Sequence, residues 1–188
     1  ETLLDLIGDT DGDDTDAAVA AATDVVSSFG ERYTRHWSAG MHAKLGLADE
    51  HPELVADLVT LMSEQHPDHT RFFRGLSAAA RGDAAPVRDL VVDREAVDAW
   101  VDRWRAVLAA QDRPVDEVAE AMDRVNPVYV PRNHQVERAL AAAVAGDLEP
   151  FHELVAVLAD PFTEQPGREA YAAPDPAASA AYVTYCGT

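Results

Sequence analysis

His66-Pro67-Asp68-His69 sets two imidazoles three residues apart around a carboxylate, the residue types of a zinc site. Zinc needs three or four ligands, and no cysteine or third histidine stands at a usable spacing. Pro67 and Asp68 are better read as turn residues, with Asp68 capping the helix that follows. Asp9, Asp11 and Asp13 alternate like the first half of a calcium loop. The sixth position is then Asp14 where glycine is needed, and the twelfth is Ala20 where a bidentate glutamate is needed, so a solvated acidic loop is the better account. Arg132-Asn133-His134 follows a prolyl turn and opens a helix, whose free amides could attract an anion such as phosphate. We favour the alternative, in which Arg132 pairs with a carboxylate and Asn133 caps the helix. Trp100 and Trp104, with Tyr33 and Trp37, have the chemistry of an aromatic cage, but their four-residue spacing on amphipathic helices is that of core packing. Cys186 offers either an accessible thiol or merely a small residue, and its position does not choose between them. No glycine loop of the Walker or kinase type and no Ser-His-Asp arrangement is recognisable. We therefore expect no catalytic, cofactor-binding or metal-binding residue in this chain.

The elements that carry these residues read as helices. A helix over 17–26 breaks near Phe29-Gly30. Tyr33, Trp37, Met41 and Leu45 then recur every four residues along one stripe, with Gly40 marking a close crossing with another backbone and Gly46 ending the helix. Pro52 opens the next helix, which turns Leu54, Leu58, Leu61 and Met62 inward. Phe72, Phe73 and Leu76 belong to a short helix closed by Arg81-Gly82-Asp83. Asp93 caps a helix over 94–110 with an apolar face of Val97, Trp100, Val101, Trp104 and Leu108. Pro114 opens another through Val118 and Met122, and Gly146-Asp147 separates helices over 133–145 and 148–159. No run of four or more residues alternates as a strand; Val128-Tyr129-Val130, flanked by prolines, is the only extended candidate. The expected fold is all-α and irregular, with about seven to eight helices in residues 1–160. A Pro-rich tail over 161–188 should run extended on the surface, anchored by Phe162, Tyr171 and Tyr182.

Thirty-four acidic against 15 basic residues give a net charge of -19, and Lys44 is the only lysine. Such a surface repels itself in dilute buffer and is screened in concentrated salt, where the Debye length falls to about 3 Å at 1 M. We read it as the surface of a salt-adapted prokaryote's protein. No Lys/Arg cluster suits nucleic acid, and no apolar run approaches the ~20 residues that span a bilayer. With no basic-then-apolar leader and a single cysteine, a cytoplasmic location is expected. The start at Glu1, running straight into Leu3-Leu4-Asp5-Leu6-Ile7, suggests a helix already under way and a processed or truncated product.

The chain also resembles the SelO proteins, protein adenylyltransferases of pseudokinase fold. The similarity runs through Phe29-Gly30-Glu31-Arg32-Tyr33, Trp37, Met41-His42-Ala43-Lys44-Leu45-Gly46-Leu47, Asp68-His69-Thr70-Arg71-Phe72-Phe73-Arg74 and 100–105. Its most specific pieces are Asn126-Pro127-Val128-Tyr129-Val130-Pro131-Arg132-Asn133 and Asp160-Pro161-Phe162-Thr163-Glu164-Gln165-Pro166. The chain departs from the family's pattern at Pro131, at Asp175 and in the Tyr185-Cys186-Gly187 ending. The resemblance implies the C-terminal part of an enzyme that transfers AMP from ATP, with magnesium, to hydroxyls of protein substrates. The nucleotide and metal residues would lie in an upstream kinase-like region, the partner of this one, and Lys44 is not the nucleotide lysine. Cys186 takes the place of the family's Cys or selenocysteine and is a candidate redox residue. The competing reading is a free-standing helical module that contacts other proteins without catalysis.

Overall fold

A computed structural model describes residues 15–175. The acidic loop at 8–14, Tyr182 and Cys186 lie outside the described residues. Among those described there are nine helices and no strand: α1 (Thr15–Leu45), α2 (Pro52–Gln65), α3 (His69–Ala80), α4 (Ala85–Arg88), α5 (Arg94–Ala110), α6 (Val115–Asp123), α7 (Asn133–Val144), α8 (Glu149–Ala159) and α9 (Glu169–Ala172). The all-α expectation holds. Its count differs at three places. Residues 17–45 form one helix, because Gly30 keeps a negative φ and costs only about 1 kcal/mol relative to alanine inside a helix. The four-residue helices α4 and α9 are too short to show a period. The tail is therefore not wholly extended, since α9 fits one turn between Pro166 and Pro174.

The chain divides into two compact units, residues 1–41 and 42–188. In the first, the described residues are helical, and Val19, Val25, Val26, Phe29, Tyr33 and Trp37 are all exposed. The stripe read from the sequence is thus buried only at Met41 and Leu45. Gly40 has no atom of the described residues within 4 Å of where a Cβ would stand.

In the second unit the core is built as the periodicity predicts. Trp100 and Trp104 of α5 stack with centroids 5.8 Å apart and are fully buried. Each indole N–H donates to a backbone carbonyl, Trp100 to Leu54 at 3.0 Å and Trp104 to Leu45 at 2.9 Å. The rings therefore bury large apolar area without leaving a polar group unpaired. Leu58, Phe72, Leu76, Val87, Val97, Val118 and Met122 complete this core. Asp93 caps α5 by accepting from the Ala96 amide at 3.0 Å. A satellite cluster of Tyr129, Ala139, Leu154, Val157 and Tyr171 joins the α7–α8 hairpin to the tail. Tyr171 is the anchor expected of it, whereas Phe162 is 40% exposed.

Candidate functional site

Asp68 stands at the N-cap of α3, where its Oδ1 accepts the Arg71 amide at 2.9 Å. That leaves carboxylate lone pairs directed away from the helix, and Arg132 fills them in a bidentate clasp, Nη1 to Oδ2 at 2.6 Å and Nη2 to Oδ1 at 3.0 Å. Both side chains are mostly buried, at 16% and 14% exposure. Arg132 Nη2 also donates to the Ala172 carbonyl at 3.0 Å, so a single guanidinium ties α3, the start of α7 and α9 together. Burial alone would push the Asp68 carboxyl up, but hydrogen bonds and charge from Arg132 and Arg71 outweigh it and hold the group below the ordinary carboxylate range.

The two His residues flanking this acid do separate jobs. His66 closes α2 in the left-handed conformation, φ 48°, its amide donating to the Met62 carbonyl. The His69 ring lies 4.7 Å from that of Phe73, and burial together with the nearby Lys44 charge lowers its pKa against the opposing pull of Asp68. Among the described residues no group of three or more His, Cys, Asp or Glu could hold a metal ion. At 132–134 the structure corrects one expectation. Arg132 occupies the N-cap of α7 and Asn133 makes no side-chain cap. The chain leaves its prolyl turn extended at Arg132 and becomes helical one residue sooner than an Asn133 cap requires. Arg132 does pair with a carboxylate, as read, and is thereby unavailable to a bound anion.

Two neighbouring joints complete the site. Asn126 is fully buried; its Nδ2 donates to the Lys44 carbonyl at 2.8 Å, and its Oδ1 accepts from Lys44 Nζ at 3.4 Å. The same ammonium lies 5.0 Å over the Phe73 ring. Arg74 Nη1 donates to the carbonyls of Asp123 and Asn126 and pairs with the Asp123 carboxylate at 3.2 Å. Beyond Asn126, the Val128 and Tyr129 amides both donate to the Pro161 carbonyl, at 2.8 and 3.2 Å. The Tyr129 hydroxyl accepts from the Gln165 amide at 3.0 Å and lies 3.3 Å from the Gln165 carbonyl. Gln165 Nε2 in turn donates to the carbonyls of Val157 and Asp160, closing the end of α8. The segments 126–133 and 160–166, the most specific motifs in the sequence, are thus brought together as the two sides of one clamp. Sequence spacing could not announce this, because the partners are 32–36 residues apart.

An open cleft of about 480 Å³ beside the clamp is lined by Arg71, Tyr129, Glu164, Gln165 and Glu169. Another, of about 390 Å³, adds Arg74, Ser77, Arg81 and Asp123. Of its arginines, Arg74 pairs with Asp123 and Glu164 and Arg81 with Asp116 and Asp123, while Arg71 lines both clefts. The acidic residues of the two clefts, Asp89, Asp123, Glu164 and Glu169 among them, are not gathered into a group of three or more that could hold a metal ion. The arrangement clamps α3, α7, α8 and α9 to one another through side-chain bonds.

A model of the family described as protein adenylyltransferase SelO matches residues 11–159. This chain belongs to the SelO family. A protein nucleotidyltransferase YdiU of Mycobacterium sp. (strain KMS) is 47% identical over 192 residues, covering 100% of this chain and 37% of its own length. The relatives of that name from Pseudarthrobacter chlorophenolicus and Rhodococcus jostii (strain RHA1) are each 44% identical, again over 100% of this chain and 38% and 36% of their own lengths. The chain thus spans a little over a third of these SelO-family relatives, and the clamp lies within the shared part. No helix among the described residues is long and apolar enough to cross a membrane.

Proposed function

We propose that this chain is the C-terminal helical region of a SelO-type protein adenylyltransferase, and that it buttresses an upstream kinase-like region which holds ATP and magnesium and transfers AMP to Ser, Thr or Tyr hydroxyls of protein substrates. One observation carries the reading: every part of the chain has a counterpart in the relatives, yet it accounts for only about 37% of their length. The clamp supports it, because it is built for rigidity and uses its charged groups on one another. No residue described here is assigned to catalysis, to nucleotide or to metal, and Cys186 keeps its candidacy as a redox residue. Calorimetry should find no saturable ATP–Mg binding by the 188-residue chain, and labelled ATP should leave no AMP on it. The intact Mycobacterium relative should do both. Saturable binding with self-modification by the chain alone would overturn the proposal.

The acidic surface fits a cytoplasmic protein of a salt-adapted prokaryote. On that reading the melting temperature should climb markedly from dilute buffer to molar KCl, as screening relieves the repulsion of 19 excess negative charges. A flat profile would remove the salt adaptation and leave the family assignment untouched.

A further inference from the structure

In α1 the apolar side chains fall into an alternating three- and four-residue spacing: Val19, Ala22, Val26, Phe29 and Tyr33, with Trp37 one turn beyond. That spacing is the seam by which one helix packs along another. Phe29 and Tyr33 confirm the shared face, their rings stacked with centroids 6.2 Å apart. The face is bare: Val26 is 62% exposed, Phe29 67% and Tyr33 59%. Asp24 and Glu31 occupy the opposite side of the helix, two and five residues after Ala22 and Val26. Helices draw most of their stability from packing an apolar stripe, and a soluble monomer seldom leaves a contiguous patch of this kind open. Gly30, beside Phe29, has open space where a Cβ would stand, so a second backbone can come close there.

We infer that this face of α1 is the docking surface for an apolar-faced helix from the portion of the longer family protein that this chain does not span. The inference rests on the reading of the chain as one region of a larger enzyme. The occupant follows from length: relatives that match 100% of this chain carry nearly two thirds of their residues outside the match. A second copy of the chain is the competing occupant, and the seam alone would suit either.

The double substitution Val26→Glu/Phe29→Glu separates them. In the isolated chain both positions face solvent, so the melting temperature should stay within experimental error and the chain should sediment as a monomer with or without the change. At the aligned positions of the intact Mycobacterium relative, the same change should lower the melting temperature. It should also speed amide hydrogen exchange across the segment aligned with 17–37 by about 100-fold, as a covered helix becomes an uncovered one. Slow exchange of that segment in the unsubstituted relative and fast exchange in the isolated chain complete the expected result. Fast exchange in both proteins would overturn the proposal. So would a dimer of the isolated chain that the substitutions dissociate, or protection of the segment in a monomer of the isolated chain. None of these measurements reads AMP transfer, so an inactive relative with a protected α1 would defeat the enzymatic reading and leave the docking surface standing.

Discussion

Gly46→Ala is expected to destabilise the chain by roughly 2–5 kcal/mol, with a melting temperature lower by about 5–20 °C for a protein of this size. Gly46 ends α1 in the left-handed region at φ +67°. Its amide donates to the Ala43 carbonyl and the Leu47 amide to the His42 carbonyl, the paired bonds that close a helix at a glycine. An L side chain strains that conformation. It also has nowhere to go, since a Cβ would lie 2.5 Å from Val118 Cγ1 and 3.0 Å from Met122 Sδ, both on α6. Val118 and Met122 are fully buried, and a close-packed interior gives such side chains little room to retreat. Gly146→Ala is the comparison that separates strain from crowding. Its φ is +92° but its Cβ would meet nothing, so its loss should be distinctly smaller. Urea unfolding of the two variants measures the difference, and equal losses would mean that the contact with α6 contributes nothing.

Removing the Arg132 guanidinium is the second large effect. Arg132→Ala leaves the mostly buried Asp68 carboxylate without its cation and the Ala172 carbonyl without a donor. Breaking one side of a buried pair costs about 3–5 kcal/mol, and the partial exposure of this one places it near the lower end. Arg132→Lys should recover only part of the loss, because an ammonium cannot span both carboxylate oxygens and Ala172 together. The double variant Asp68→Ala/Arg132→Ala should be less destabilised than the two single losses added. The acid side carries a further signature. Asp68 titrates lower when folded than unfolded, so its contribution is complete above the ordinary carboxylate pKa. It is lost as pH falls through the depressed value. Stability of the parent should therefore drop more steeply below about pH 4 than that of Arg132→Ala. Parallel slopes would show that Arg132 does not hold the carboxylate in its charged form.

What could be read from the sequence was what is local. The 3.6-residue period placed Trp100, Trp104 and Leu108 on the buried face of α5, and short polar residues before helices marked the caps at Asp68 and Asp93. Periodicity reports which face of a helix is apolar, not what covers it. That is why Tyr33 and Trp37 read as core and lie exposed. Among the described residues the crowded glycines are Gly46 and Gly75, where α6 and α4 press on the backbone. The clamp was legible in its parts, since 126–133 and 160–166 each stood out as motifs. Their meeting was not, because nothing in either segment encodes the other's position. Arg132 was read as wanting a carboxylate, but its partner lies 64 residues away.

Lys44 offers an unusual chemical handle. As the sole lysine, it makes every acylating or cross-linking reagent aimed at side-chain amines specific for one position in these 188 residues. Burial lowers its pKa, which raises the fraction of free amine at a given pH. Its reach toward Asn126 and Phe73 means that the rate of modification would report directly on whether residues 42–45 keep their place beside α3 and the 126–133 segment within the second unit.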